Sequence, residues 1–233
     1  MKKIYSESQV PLLIQSIDGV VPSGFKRLIT NPDQTSVFEC IRDKTHPFVL
    51  VRNYLHYILT GNESNAFCPF VSLIERKNGY YVKEYPQAEE REVVFQRAID
   101  ELLDAFVLFS PYAERFQTHT DPTTVIAVFT DPSLRTEEGL KRLQEFQLRA
   151  RAEFLTQGLM LANAHPLHPL GRGTGTGPFS SKPIFACMVP ILILRRMHPG
   201  DAVFMRNDEE KRIHASFFGD TIHGCPHHSG GAA

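Results

Sequence analysis

The sequence predicts an α+β fold, or an α/β fold, in which helices pack on a mixed β-sheet. Segments with apolar residues at helical spacing alternate along the 233 residues with short, β-branched apolar segments typical of strands. The pair Asn78-Gly79 separates two further strand-like segments, and Asn-Gly favours the two-residue turn of a β-hairpin. We therefore expect the order helix, hairpin, helix, strand, helix, strand, strand, helix.

The first half of the chain is predicted to contain two helices and the hairpin. Residues 46–59 carry apolar side chains at helical spacing and are followed by a glycine that can end a helix. Residues 70–76 and 80–85 are the expected hairpin strands. Residues 88–109 form an amphipathic helix, because glutamates occupy its first turns and apolar residues line one stripe.

The second half is predicted to alternate strands and helices. Residues 123–129 are β-branched and apolar, as in a buried strand. Thr136 is expected to cap a helix that runs to about Gln157, with Gly158 in the position after its end. Three further segments complete the order, namely strands at 159–162 and 184–194 and a helix at 208–218.

Proline, glycine and length suggest one domain. Residues 1–45 are expected to be a loosely organised N-terminal segment, residues 46–219 a single α+β domain, and residues 220–233 a flexible tail.

Composition excludes several partners. The 25 basic and 26 acidic residues leave a formal net charge of −1, which argues against nucleic acid. No apolar run approaches the roughly 20 residues of a membrane span, and no secretory signal is present. The 4 cysteines contain no CxxC pair, so reduced thiols in a cytoplasmic protein are expected.

Cys68 is the first candidate site residue. It lies in Phe67-Cys68-Pro69-Phe70, at the entry to the predicted hairpin. A thiolate there could bind a soft metal or heme iron. A small buried side chain without a ligand is the simpler interpretation.

His165 and His168 are the second candidates. They follow a predicted strand, and ligands gather at the carboxyl ends of strands in open sheets. Either a metal or heme iron could use these imidazoles, or the segment could be a proline-rich turn. The glycine-rich loop up to residue 182 could border the site.

Arg195, Arg196 and His198 are the third set. The two guanidinium groups stand at the end of an apolar strand and could hold carboxylates, and His198 is a second candidate axial ligand. A solvated strand end is the alternative. The sequence contains no GxSxG, HExxH or nucleotide-binding glycine motif.

Three short motifs carry a resemblance to a known family across residues 46–219. The segments are Cys68-Pro69-Phe70-Val71, Gly158-Leu159-Met160 with His165-Pro166, and Pro190 through Met197. Together they resemble an uncharacterised bacterial family, catalogued as a domain of unknown function. The third motif departs from the family pattern, since Arg196 stands where histidine is expected. The order of elements is also similar to the YqcI/YcgG family, which includes heme-dependent N-hydroxylases.

The second resemblance implies a heme-dependent oxygenase, of N-hydroxylase type, that acts on a small, polar, amino-acid-like substrate in biosynthesis. His165 would be the proximal ligand, and Arg195 with Arg196 would hold heme propionates or the substrate carboxylate. Two alternatives stay open: a non-heme metal enzyme using His165, His168 and a carboxylate, or a non-catalytic small-molecule-binding domain. A homo-oligomer is compatible with each of them.

Overall fold

The computed structural model of the chain describes residues 14–15, 24–28, 45–60, 79–86, 90–110, 121–168 and 186–219. Four predictions fall outside these ranges. They concern Cys68, the strand at 70–76, the glycine-rich loop after His168 and the tail at 220–233.

The helices and strands alternate largely as the sequence predicts. In chain order they are β1 (Ile14–Gln15), β2 (Lys26–Leu28), α1 (Pro47–Thr60), β3 (Tyr80–Tyr85), α2 (Arg91–Phe109), β4 (Thr124–Phe129), a first 3₁₀ helix (Pro132–Arg135), α3 (Glu137–Thr156), β5 (Leu159–Ala164), β6 (Ile191–Arg196), a second 3₁₀ helix (Pro199–Phe204) and α4 (Asp208–Phe218).

The described strands form one mixed sheet in the order β1-β2-β3-β4-β6-β5. Strands β3 and β4 are parallel, whereas β6 is antiparallel to both of its neighbours, β4 and β5. Strands β3, β4 and β5 therefore point the same way, and β6 runs back between two of them. The predicted α+β class with a mixed sheet is confirmed.

Helices cover both faces of this sheet. Alternate residues of β4, represented by Val125, Ala127 and Phe129, share one buried cluster with side chains of α2 and α3. Ile126 and Val128 point to the opposite face and share a second cluster with α1. All six residues of β4 are buried, which explains why this strand reads as a continuous apolar run rather than an alternating one.

The ends of α3 follow the predicted capping chemistry. The Thr136 hydroxyl accepts a hydrogen bond from the backbone N–H of Gly139 at 3.2 Å. Gly158, one residue beyond the C-cap, has φ of +69°, a conformation that favours glycine because it has no Cβ. The helix predicted from Thr136 to Gln157 is thus confirmed.

The hairpin at Asn78-Gly79 is not confirmed. Its first strand lies outside the described residues, and β3 already has a neighbour on each side. Residues 80–82 pair with β2 on one side and with β4 on the other. Strands β1 and β2 come from the segment before residue 46, so the sheet extends across the boundary placed there.

Candidate functional site

The carboxyl ends of β3, β4 and β5 share one edge of the sheet, which we call the carboxyl edge. It contains Tyr85, Phe129 and Ala164, and β6 begins there with Ile191 opposite Ala164. A turn at residues 165–168 directly follows β5. Strand β5 is two residues longer than predicted, so Asn163 and Ala164 belong to the sheet and not to the loop.

The His165 imidazole is fully buried and bonded through both ring nitrogens. Nδ1 accepts a hydrogen bond from the backbone N–H of Leu167 at 3.0 Å. Nε2 lies 2.6 Å from the carbonyl oxygen of Leu134. Since a carbonyl oxygen only accepts, Nε2 carries the proton and the ring is the neutral Nε2–H tautomer. Both nitrogens are therefore engaged within the chain, and the single in-plane lone pair, on Nδ1, accepts the Leu167 N–H.

The Leu134 carbonyl group is packed against the first turn of α3. A Cβ built on Gly139 would lie 2.6 Å from both the carbonyl carbon and the Cα of Leu134, and closer still to the oxygen. Real Cβ atoms do not approach backbone this closely, so glycine at this position allows the carbonyl group to sit there. Gly139, Leu134 and His165 thus form a continuous contact from α3 to the end of β5.

His168 lies at the other end of the same turn and is partly exposed. Its backbone N–H donates to the carbonyl oxygen of His165 at 3.0 Å, which closes the turn. Burial lowers the pKa of the His168 imidazole to about 4. The imidazole is consequently neutral near pH 7, the form that accepts a proton or binds a metal.

Arg195 and Arg196 lie at the opposite edge of the sheet from the two histidines. Arg196 pairs with Leu159, the first residue of β5, whereas Ala164 at the last residue pairs with Ile191. Five residues of strand at about 3.3 Å each separate the two ends by roughly 16 Å. The structure therefore does not bring these arginines together with His165, because β6 runs antiparallel to β5.

Arg195 is held by a carboxylate of the chain itself. Its Nη1 and Nη2 donate to Asp201 Oδ2 and Oδ1 at 2.8 and 2.5 Å, a bidentate ion pair. The His198 backbone N–H also donates to Asp201 at 2.8 Å. The His198 Nδ1 accepts from Gly200 and caps the second 3₁₀ helix. These contacts engage Arg195 and His198 with groups of the chain itself.

Arg196 is buried beside Asp121. Its guanidinium carbon lies 5.3 Å from the centre of the Phe106 ring, and its Nη2 lies 3.9 Å from Asp121 Oδ2. Burial lowers the pKa of this guanidinium, and Asp121 opposes that change. Asp121 also accepts from the Ser110 hydroxyl and from the Thr123 N–H. This polar group links the end of α2 to the start of β4.

Two polar groups, one buried and one partly buried, escaped the sequence analysis. Glu210 of α4 binds the guanidinium group of Arg151 in α3 at 3.2 Å. Glu101 Oε2 accepts from Lys83 at 2.6 Å and from the Tyr85 hydroxyl at 2.5 Å. Burial is the largest cause that raises the pKa of Tyr85. Their partners are 16 to 59 residues apart in sequence, so no local spacing could have revealed them.

The residues predicted to hold heme do not fit that role as predicted. His165 has both nitrogens engaged, and the arginines expected to bind propionates are at the far edge. Within the described part of the chain, no group of three or more His, Cys, Asp or Glu side chains could hold a metal ion. Of the predicted ligands in the described ranges, His168 combines a neutral ring with partial exposure.

The fold and this edge define an α+β protein with a six-stranded mixed sheet, helices on both faces and a histidine turn at the carboxyl edge. No helix among the described ranges has the length and apolarity needed to cross a membrane. Residues 60–227 match the family described as a domain of unknown function, DUF6875. The match covers more than half of the 233 residues, so the chain belongs to this family. No curated protein and no solved structure matches the chain.

Proposed function

We propose that the protein binds a small polar molecule at the carboxyl edge of its sheet and that His168 contacts it. The observation that carries the proposal is a neutral, partly exposed imidazole placed directly after a strand at this edge. Open sheets bind ligands outside the carboxyl ends of their strands, where successive turns leave a crevice. The family match includes this whole region, from β3 to α4.

The chemistry of His168 suits a ligand with a hydroxyl, amino or carboxyl group. A neutral imidazole has one nitrogen that accepts and one that donates a hydrogen bond. It can therefore orient such a group through one donated and one accepted hydrogen bond. Since its pKa is about 4, this holds throughout the neutral pH range.

A heme-dependent oxygenase is a second candidate, which we propose from the resemblance in predicted element order to the YqcI/YcgG family. The observation that favours it is the position of His168 directly after β5 with its ring partly exposed, because imidazole is a common axial ligand of heme iron. Heme bound there would supply the activation of oxygen. His165 would then support the turn, and Arg195 with Arg196 would take no part, because they lie at the opposite edge.

A fragment screen by ligand-observed NMR tests the first proposal. We expect polar fragments that bind the parent protein to lose affinity in His168→Asn. His198→Asn is the matched control, because asparagine can replace its Nδ1 as the acceptor for Gly200 at the opposite edge. Fragments that bind the parent and the His168 variant equally, or a parent that binds none, would refute the proposal.

An absorption spectrum recorded during hemin titration tests the second candidate. A saturable Soret band in the parent that is lost in His168→Ala supports it. A parent that retains no heme removes this candidate and leaves the first proposal standing.

A further inference from the structure

The two nitrogens of the buried His165 ring bind different parts of the chain, one inside the turn and one outside it. Inside the turn, His165 Nδ1 accepts a hydrogen bond from the Leu167 N–H, and the His165 carbonyl oxygen accepts one from the His168 N–H. Nε2–H donates outside the turn, to Leu134 before α3. The first pair of bonds fixes the backbone that carries His168, whereas the third attaches the turn to the rest of the domain.

We infer that His165 is the positioning residue of the site at the carboxyl edge, acting on His168 through its Nδ1 acceptor, while its Nε2–H mainly supports stability. This inference rests on the proposed function of His168. A fully buried ring with both nitrogens bonded has a fixed orientation, because each bond restricts the same ring plane. The turn it closes is only four residues long, so the orientation of the ring passes directly to His168.

Two substitutions at His165 remove its two hydrogen bonds one at a time. In His165→Asn the side-chain oxygen can take the place of Nδ1 and accept from Leu167, as asparagine does in turns of this kind, but the bond to Leu134 is lost. In His165→Gln the side-chain amide can reach Leu134 as Nε2 does, but the acceptor for Leu167 is lost. If His165 had a purely structural role, the variant with the lower melting temperature would also have the lower fragment affinity.

Positioning predicts the opposite order for binding and stability. We expect His165→Asn to have the lower melting temperature yet to keep fragment affinity within about threefold of the parent. We expect His165→Gln to be the more stable variant and to lose about tenfold in affinity, the equivalent of one hydrogen bond. Equal losses in affinity, or losses ranked by melting temperature, would overturn the inference.

Amide hydrogen exchange tests the same idea without any ligand. The Leu167 and His168 amides should be protected in the parent and in His165→Asn, and should exchange at least about tenfold faster in His165→Gln. ¹⁵N shifts of the parent ring should show Nδ1 without a proton and Nε2 with one. The reverse tautomer, or unchanged exchange in His165→Gln, would overturn the positioning role even if fragments bind at His168. Conversely, the expected exchange pattern without any fragment binding would refute the proposed function alone.

Gly139→Ala provides an independent variant that leaves both histidines intact. Its Cβ would displace the Leu134 carbonyl group and so disturb the Nε2 bond but not the Nδ1 bond. Positioning through Nδ1 therefore predicts lower stability with fragment affinity within about threefold of the parent. A tenfold loss of affinity in this variant would show that the attachment to Leu134 positions the site instead.

Discussion

Replacing Gly139 by alanine sets helix propensity against tertiary packing. Gly139 lies in the first turn of α3, where alanine would favour the helix by up to about 1 kcal/mol. The added Cβ would meet the backbone of Leu134, with the carbonyl carbon and Cα each at 2.6 Å. Overpacking costs about 1–3 kcal/mol. A displaced carbonyl group also leaves the buried His165 donor unsatisfied, which costs about 1–3 kcal/mol more. A net destabilisation of about 3 kcal/mol is expected.

Thermal unfolding followed by circular dichroism measures this effect. At about 2–4 °C per kcal/mol for a chain of this size, the melting temperature of Gly139→Ala should fall by roughly 6–12 °C. Ala152→Gly, at an exposed position of the same helix, is the control for propensity and should lower it by about 2–4 °C. A melting temperature of Gly139→Ala equal to or above that of the parent would refute the packing argument.

Three further predictions follow from buried and partly buried groups. Glu210→Ala should lower the free energy of unfolding by about 3–5 kcal/mol in urea titrations, because it leaves the buried Arg151 guanidinium uncompensated. The control Lys211→Ala breaks an exposed ion pair and should change this free energy by less than about 1 kcal/mol. Similar changes in the two variants would contradict the argument. Burial raises the pKa of the Cys187 thiol to about 12, so the native state keeps this proton longer than the unfolded state. Stability should therefore fall as pH rises from about 9 toward 12, and Cys187→Ala should remove part of that slope in urea titrations at each pH; an unchanged slope would show that the thiol is not the cause. The folded-state pKa of His168 is lowered to about 4, so its contribution is present above the unfolded pKa of about 6.5 and is lost as pH falls toward 4. In His168→Asn the melting temperature should therefore fall less steeply over this acidic pH range than in the parent. An equally steep fall would contradict the assignment.

Local chemistry accounts for the parts of the fold that were predicted closely. The helix Asp208–Phe218 begins after Asn207, whose side chain accepts from the Glu210 N–H at 2.8 Å, and it ends before Gly219. Such caps involve neighbours three residues apart, so they can be recognised in a linear sequence. The Asn-Gly hairpin had an equally local signal, but it is not confirmed, since its first strand lies outside the described residues.

The candidate site was predicted only in part. The sequence placed His165 and His168 at the carboxyl end of a strand, and the structure agrees. It could not show that His165 is bonded to Leu134, because that contact joins residues 31 positions apart. The local sequence around a histidine does not show whether its nitrogens bind the backbone or face a ligand. Burial and bonding partners, which distinguish the two, exist only in the folded chain.

The sequence by itself determined the hydrophobic period of the described helices, the caps of α3, the bounds of α4 and the membership in a family of unknown function. Only the tertiary structure decided the direction of β6. Its apolar residues are compatible with either direction, since side-chain alternation is the same in parallel and antiparallel strands. Its antiparallel insertion between β4 and β5 carries Arg195 and Arg196 to one edge and leaves His168 at the other. Strand pairing is a contact between distant segments, and a linear pattern contains no record of which segments meet.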